Sequence, residues 1–392
     1  MRIAIDYTSA ARQGGGIGRY TRELVAAVLR EQAGAAGAAA HSFSLFAGVA
    51  GLGEAWRSET QRLRSLASAD RLETRGVPLT DDWMARVWHR LRIPIPATWI
   101  TGAADLFYAP DFLLPPLPRR VRTVATIHDL SFIRHPETFP SQLRDYLSTT
   151  VPRSLSRADH VLTDSEWTRA DVIDLLGASP DRVTSLHLGV SSAFQPEPAV
   201  GERDALNIRY GIDRGPYILA VGTVQPRKNL ERLIEAVDLV RGTSGEHAAQ
   251  QATLVVAGRG GWLSDGVVTA VNARPHVRLL GFVDDADLPA LYRQATVFAF
   301  PSIYEGFGLP PLEAMACGTP VVASSASSVP EAVGDAGLLH DPFDVDELAD
   351  ALHRVVRDDA LRADLRARGL ARASGFTWRR TAREWLKAVE RK

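Results

Sequence analysis

Two carboxylates with seven residues between them, across a glycine-rich loop, carry the strongest chemical signal in this chain: Glu305-Gly306-Phe307-Gly308-Leu309-Pro310-Pro311-Leu312-Glu313. The N–H groups of Phe307, Gly308 and Leu309 can hold a phosphate or a sugar hydroxyl where the loop enters a helix. Each ionised carboxylate can accept hydrogen bonds from a vicinal diol. The plainer reading of Glu313 is compensation of the helix dipole in its first turn. A second cluster, Gly222-Thr223-Val224-Gln225-Pro226-Arg227-Lys228-Asn229, offers two adjacent cations to a pyrophosphate, ahead of a helix that Asn229 is placed to cap. Lys228 stands out because 42 of the 45 basic residues are arginine, leaving lysine at 228, 387 and 392. A compact point charge is wanted there.

Two weaker signals lie nearer the N-terminus. Gly14-Gly15-Gly16-Ile17-Gly18 follows a strand and opens a helix, so the backbone at Gly15 and Gly16 can approach a phosphate closely. Its spacing is not that of a dinucleotide fingerprint, which argues against a nicotinamide dehydrogenase. His128-Asp129 ends an apolar run, 123–127, and a histidine at the carboxyl end of a buried strand sits where α/β sheets bind ligands. Each has a bland alternative, a flexible turn and a structural histidine. Paired carboxylates also suggest a glycosidase, but a hydrolase of neutral glycosides needs no anion cradle at 14–18 and 227–228.

The elements that must position these residues alternate between short β-rich runs and helical patterns, the signature of parallel α/β sheets. Strands are expected at 2–8, 42–46, 71–77, 105–109, 121–128, 160–163 and 183–188, then at 217–223, 253–257, 277–282, 297–300, 320–324 and 337–340. Helices are expected at 17–31, 81–91, 141–156, 166–176, 230–240, 285–294, 310–317 and 345–357. The pattern predicts two Rossmann-like doubly wound domains, 1–195 and 196–376, facing across a cleft, and a C-terminal amphipathic helix, 377–392, that packs back on the first. The join is placed in 189–213, where Pro196 and Pro198 break the pattern, and 33–40 reads as a solvated Ala/Gly loop.

Composition narrows the function classes. A net charge of −1 gives no electrostatic footprint for nucleic acid. With one cysteine, Cys317, neither an intrachain disulfide nor a Cys-based zinc site is open, and a reducing cytoplasm is expected. No apolar run reaches the ~18 residues that span a bilayer.

In combination, Gly-Gly-Ile-Gly-Arg-Tyr at 15–20, His-Asp at 128–129, Pro-Arg-Lys-Asn at 226–229, Ala-Gly-Arg-Gly at 257–260, Gly-Phe-Val at 281–283 and the Glu305–Glu313 block resemble the retaining nucleotide-sugar glycosyltransferases of family 4, of GT-B fold. The resemblance covers nearly the full length. It implies that Arg227 and Lys228 hold the donor pyrophosphate, Glu305 the sugar hydroxyls and Glu313 the ribose diol. Gly258, Arg259, Phe282 and Val283 would line the base pocket, and His128 would face the donor sugar. Thr223 stands where many members carry arginine, so Arg227 and Lys228 bear more of the neutralisation. Variants with Gly-Thr-x-x-Pro-Arg-Lys-Asn resemble bacterial mannosyltransferases of O-antigen and exopolysaccharide assembly, which favours GDP-mannose. The expected reaction is hexosyl transfer with retention to a glycan or glycolipid hydroxyl. Arg227, Lys228 and loop N–H groups would stabilise charge on the leaving phosphate. No Asp-x-Asp pair falls at a site suited to a bridging metal, so no metal or other cofactor is expected. The alternatives are a sugar-nucleotide 2-epimerase, or a silent subunit that only binds nucleotide.

On the acceptor side, 81–92 reads as one amphipathic helix with Trp83, Met84, Val87, Trp88 and Leu91 on a single face and Arg86, His89, Arg90 and Arg92 elsewhere. Packing on the first domain's sheet is the plain expectation. Peripheral contact with an anionic membrane surface, or with a lipid-diphosphate acceptor, is the sharper one.

Overall fold

The computed structural model describes every residue except 36, 38, 39, 69, 213, 214, 243–250 and 392. Part of the loop expected at 33–40, and the end residues of the expected join and C-terminal helix, therefore lie outside the described residues. The chain divides into two compact units. The first comprises Met1–Leu130, Asp145–Gly189 and Trp378–Lys392, the second Ser131–Arg144 and Val190–Thr377. The chain thus changes units at 189/190, and the short segment Ser131–Arg144, read from sequence within the first domain, belongs to the second unit.

The first unit is built on seven parallel strands: β1 (Arg2–Asp6), β2 (Ser42–Gly48), β3 (Leu72–Val77), β4 (Leu106–Ala109), β5 (Arg122–Ile127), β6 (His160–Thr163) and β7 (Val183–Ser185). They run in the order β3-β2-β1-β4-β5-β6-β7. The strands read as apolar runs because both faces of such a sheet are covered by helices; Ile3, Ala4, Phe107 and Val124 are fully buried. The order reverses between β1 and β4, which pair in register Ile3↔Leu106 to Ile5↔Tyr108. At such a switch point the loops leave in opposite directions and open a crevice at the carboxyl ends. The C-terminal helix Trp378–Glu390 belongs to this unit. Its Trp385 ring lies 5.2 Å from Tyr108, and Arg379 and Arg383 both reach Glu31, each at 2.7 Å.

The second unit repeats the design with six parallel strands: β8 (Tyr217–Val221), β9 (Thr253–Ala257), β10 (Val277–Gly281), β11 (Val297–Phe300), β12 (Val321–Ser324) and β13 (Leu338–His340). Their order is β10-β9-β8-β11-β12-β13, and the switch point falls between β8 and β11. The core gathers Ile218, Leu254, Val297 and Val322 from the sheet against Leu233 and Val237 of helix Leu230–Gly242 and Leu352 and Val355 of helix Val345–Arg357.

One expected element is corrected. The single amphipathic helix over 81–91 is an α-helical turn, Asp81–Ala85, followed by a π-helical one, Arg86–Arg90. The wider turn shifts the phase of the side chains, so the expected apolar face divides. Met84 and Trp88 are buried while Trp83 and Leu91 are 53% and 67% exposed.

Candidate active site

Loop residues from the two strands flanking the second switch point meet. After β8 the chain enters a 3₁₀ turn, Pro226–Lys228, and after β11 it runs to Glu305. Arg227 Nη1 donates to Glu305 Oε2 at 2.8 Å, and Lys228 Nζ to Glu305 Oε1 at 2.6 Å. Arg227 also donates to the Tyr304 carbonyl at 2.6 Å, and the Lys228 ammonium lies 5.1 Å from the Phe300 ring centroid. Burial opposes ionisation of Glu305, but the Arg227 and Lys228 charges outweigh it and bring its pKa down to about 2. The three residues therefore form a buried, charged triad, with side chains 11–14% exposed. Desolvated charges are stable only when paired this closely.

The loop carrying Glu305 is held by a segment the sequence did not single out. Ser327 Oγ accepts from the Glu305 N–H at 2.8 Å, and Ser328 Oγ donates to the carbonyls of Glu305 and Phe307 at 2.8 and 3.0 Å. Asn229 does not serve as the expected side-chain cap. It adopts a left-handed conformation, φ 58°, and its amide donates to Pro301 and Pro342 carbonyls at 3.0 and 2.6 Å, locking the two site loops together. Tyr292 is a further residue missed: its hydroxyl donates to Glu313 Oε2 at 3.0 Å. Two serines, a tyrosine and an asparagine with long-range partners leave no local spacing signal.

Glu313 is in the helix Leu309–Ala316, N-capped by Gly308, and is 2% exposed. Phe307 is buried as well, its ring 5.9 Å from Phe376. The arginine-rich helix Asp359–Ser374 props this segment from behind, with Arg366 donating to the Gly318 carbonyl at 2.9 Å.

The base-side candidates are on neighbouring loops. Gly222 N–H donates to the Ala257 carbonyl at 2.9 Å and Gly258 N–H to the Gly281 carbonyl at 2.8 Å, which stitches the loops after β8, β9 and β10 together. A Cβ on Gly258 would lie 1.8 Å from the Gly222 carbonyl oxygen, so no side chain fits. Arg259 lies 4.2 Å from the Phe282 ring centroid. Phe282 is 49% exposed and Val283 buried, so the arginine and the ring form an open, flat, cationic platform suited to a planar base. Thr223 is in the same turn as Gly222.

The remaining candidates belong to the first unit. Gly15 caps the helix Gly16–Ala33, and neither Gly15 nor Gly16 has a heavy atom within 4 Å of where a Cβ would stand. His128 is buried, with Nδ1 2.7 Å from Asp164 Oδ2 and Nε2 2.7 Å from the Pro110 carbonyl. Both partners are acceptors, so both ring nitrogens donate and the imidazole is charged. Burial works against that charge, but Asp164 and then Asp111 overcome it and raise the pKa to about 9. Contact between this ring and a donor sugar requires trading one of these two bonds.

The Asp-x-Asp pairs at 285–287 and 344–346 have other tasks. Asp287 accepts from Tyr210 at 2.6 Å and pairs with Arg209 at 2.5 Å. Asp344 caps helix Val345–Arg357.

Comparison with known proteins agrees with this geometry. A family model described as "Glycosyltransferase Family 4" matches residues 14–194, and one described as "Glycosyl transferases group 1" matches residues 203–372. The O-antigen chain mannosyltransferase B of Escherichia coli is 35% identical over 384 residues, 96% of each chain. The serotype-specific mannosyltransferase WbdA of Escherichia coli is 31% identical over 67% of this chain, which spans 32% of that longer protein. Among solved structures, Anabaena HepE in complex with UDP and glucose has a TM-score of 0.72 at 20% identity over 99% of both chains. WaaG, a glycosyltransferase involved in lipopolysaccharide biosynthesis, has a TM-score of 0.69 at 17% identity over 100% of both. These two share the fold. The chain belongs to glycosyltransferase family 4: it is a hexosyltransferase of GT-B fold that moves a sugar from a nucleotide donor to a glycan acceptor.

Proposed function

We propose that this enzyme transfers mannose from GDP-mannose, with retention and without a metal, to a hydroxyl of a glycan or lipid-linked acceptor. The observation that carries the donor chemistry is the Arg227–Lys228–Glu305 triad at the β8/β11 switch point. The choice of mannose rests on the 35% identical relative, a mannosyltransferase.

Breaking the glycosyl–phosphate bond leaves an oxocarbenium-like sugar and puts negative charge on the departing phosphate. Arg227 and Lys228 would meet that charge in a water-poor site, where a fixed cation is worth most. Here both cations pair with Glu305, whose single negative charge leaves the triad with a net charge of about +1. A pyrophosphate competes for them, and the Glu305 oxygens it releases are free to accept from sugar hydroxyls. The acceptor hydroxyl attacks the anomeric carbon, and its proton passes to the leaving phosphate oxygen on the same face. Glu313, beside Tyr292, takes the ribose diol, and the Arg259–Phe282 platform takes the base.

The region after residue 80 supports work at a membrane face. Among the described residues no helix is long and apolar enough to cross a membrane. Yet Trp83, Leu91 and Trp99 are 53%, 67% and 76% exposed, close in sequence to Arg86, Arg90 and Arg92, the mixture that binds an anionic interface. Incubation with a panel of nucleotide sugars and acceptor tests the donor reading: GDP should be released from GDP-mannose. Release from a different donor alone, or from none, refutes it.

A further inference from the structure

The first unit carries a cavity whose chemistry the donor site does not explain. It measures about 320 Å³ and is lined by the apolar residues Trp88, Pro116 and Leu117 and by Arg92, Arg153 and Arg157, with no carboxylate in its wall. Acidic and basic residues are matched in this chain, 46 to 45. Even so, among the described residues no carboxylate pairs with any of these three arginines. Arg157 donates to the carbonyls of Leu114 and Pro115, neither of which carries a compensating charge. Partial burial already works against the Arg157 charge, which is costly without a counter-ion, and three arginines around one cavity call for an anion.

Two further features point the same way. Arg92 is held at φ 55°, a conformation that non-glycine residues adopt at some cost and that concentrates at functional sites. His89, in the cavity wall, is pushed down to about 4 by burial and then by the Arg157 charge, so it is a neutral imidazole. The π-helical turn Arg86–Arg90 aims Trp88 and His89 inward, and single π turns recur at functional sites. Trp88 and His89 also wall a second, smaller cavity of about 140 Å³, which contains Asp6, Gln13 and Asp111. That one lies at the carboxyl ends of β1 and β4, the first unit's switch point, and its carboxylates suit sugar hydroxyls.

We propose that the arginine-lined cavity binds a phosphate or diphosphate group of the acceptor, with the sugar to be extended in the adjoining Asp6–Asp111 cavity. This rests on the transfer reading above for the word acceptor, though the anion site itself does not. The apolar wall of Trp88, Pro116 and Leu117 would take the hydrocarbon of a lipid-borne diphosphate.

The test uses the full-length protein and the His89 imidazole as a local reporter by NMR, assigned with His89→Gln. Inorganic pyrophosphate should shift the His89 signals saturably, and Arg92→Glu/Arg153→Glu should weaken that response at least tenfold. Both arginines are exposed and unpaired, so the double variant should fold; its circular dichroism and melting temperature check this. Citronellyl diphosphate half-saturating below pyrophosphate assigns the site to a lipid-borne phosphate, and equal half-saturation assigns it to a soluble one. An absent His89 response, or one unchanged in a folded double variant, overturns the proposal. If the donor panel yields no nucleoside diphosphate while the His89 shift persists, the transfer reading fails and the anion site stands.

Discussion

Glu305→Gln keeps the shape of the side chain and removes the charge that pairs with Arg227 and Lys228. The folded pKa of Glu305 is about 2 against an ordinary 4.5. A depressed carboxylate contributes stability that is fully present above pH 4.5 and is lost as pH falls through 2. At 1.36 kcal/mol per unit that contribution is about 3 kcal/mol. In a domain of this size it corresponds to roughly 6–12 °C in melting temperature. Removing the carboxylate also takes the opposite charge away from Arg227 and Lys228, which has the same sign. Glu305→Gln should therefore melt lower at pH 7, and the gap should close as pH is lowered toward 2. GDP should raise the variant's melting temperature by more than it raises the wild type's, because its pyrophosphate no longer competes with Glu305. Calorimetric scans with and without GDP from pH 2.5 to 7 read both effects. A variant as stable as wild type at pH 7, or one that GDP fails to stabilise further, refutes the triad argument.

Lys228→Ala should lower turnover about 10²–10³-fold, the usual loss for one charged donor at a leaving group, and near-normal turnover removes Lys228 from the mechanism. Glu313→Ala should raise the donor KM more than it lowers kcat, since a ribose contact is made alike in ground and transition states; steady-state kinetics decide it. Activity should persist in excess chelator, and activity recovered only with Mn²⁺ or Mg²⁺ contradicts the metal-free reading. Reversing Arg86 and Arg90 to glutamate should abolish co-sedimentation with anionic vesicles at low salt and leave donor cleavage intact.

Parallel strands between covering helices are the most legible elements of a sequence, because burial on both faces writes them as short apolar runs. All thirteen strands fall within or over the expected β-rich segments, and only the edge strands depart from the apolar pattern, as in β3, Leu-Glu-Thr-Arg-Gly-Val. The helices Gly53–Leu66, Glu202–Tyr210 and Asp359–Ser374 were not foreseen. Their surfaces are rich in arginine and acidic residues, which blurs a 3.6-residue period. The π turn at Arg86–Arg90 defeats that period outright, since it changes phase partway along the pattern. At the site, Arg227, Lys228 and Glu305 were legible because glycine and proline punctuate their loops. Ser327, Ser328 and Tyr292 were not, because strand order alone brings them there. For His128 the strand-end position was readable, but its bonds to Asp164 and Pro110 span 36 and 18 residues of chain.

The most direct test of the mechanism is the anomeric configuration of the first-formed product from GDP-α-mannose, read by proton NMR during a single-turnover incubation. Proton transfer to the leaving phosphate on the attacked face, with no enzymic nucleophile, predicts an α-mannoside. A β-mannoside would show attack from the opposite face, which requires a general base that this account does not contain.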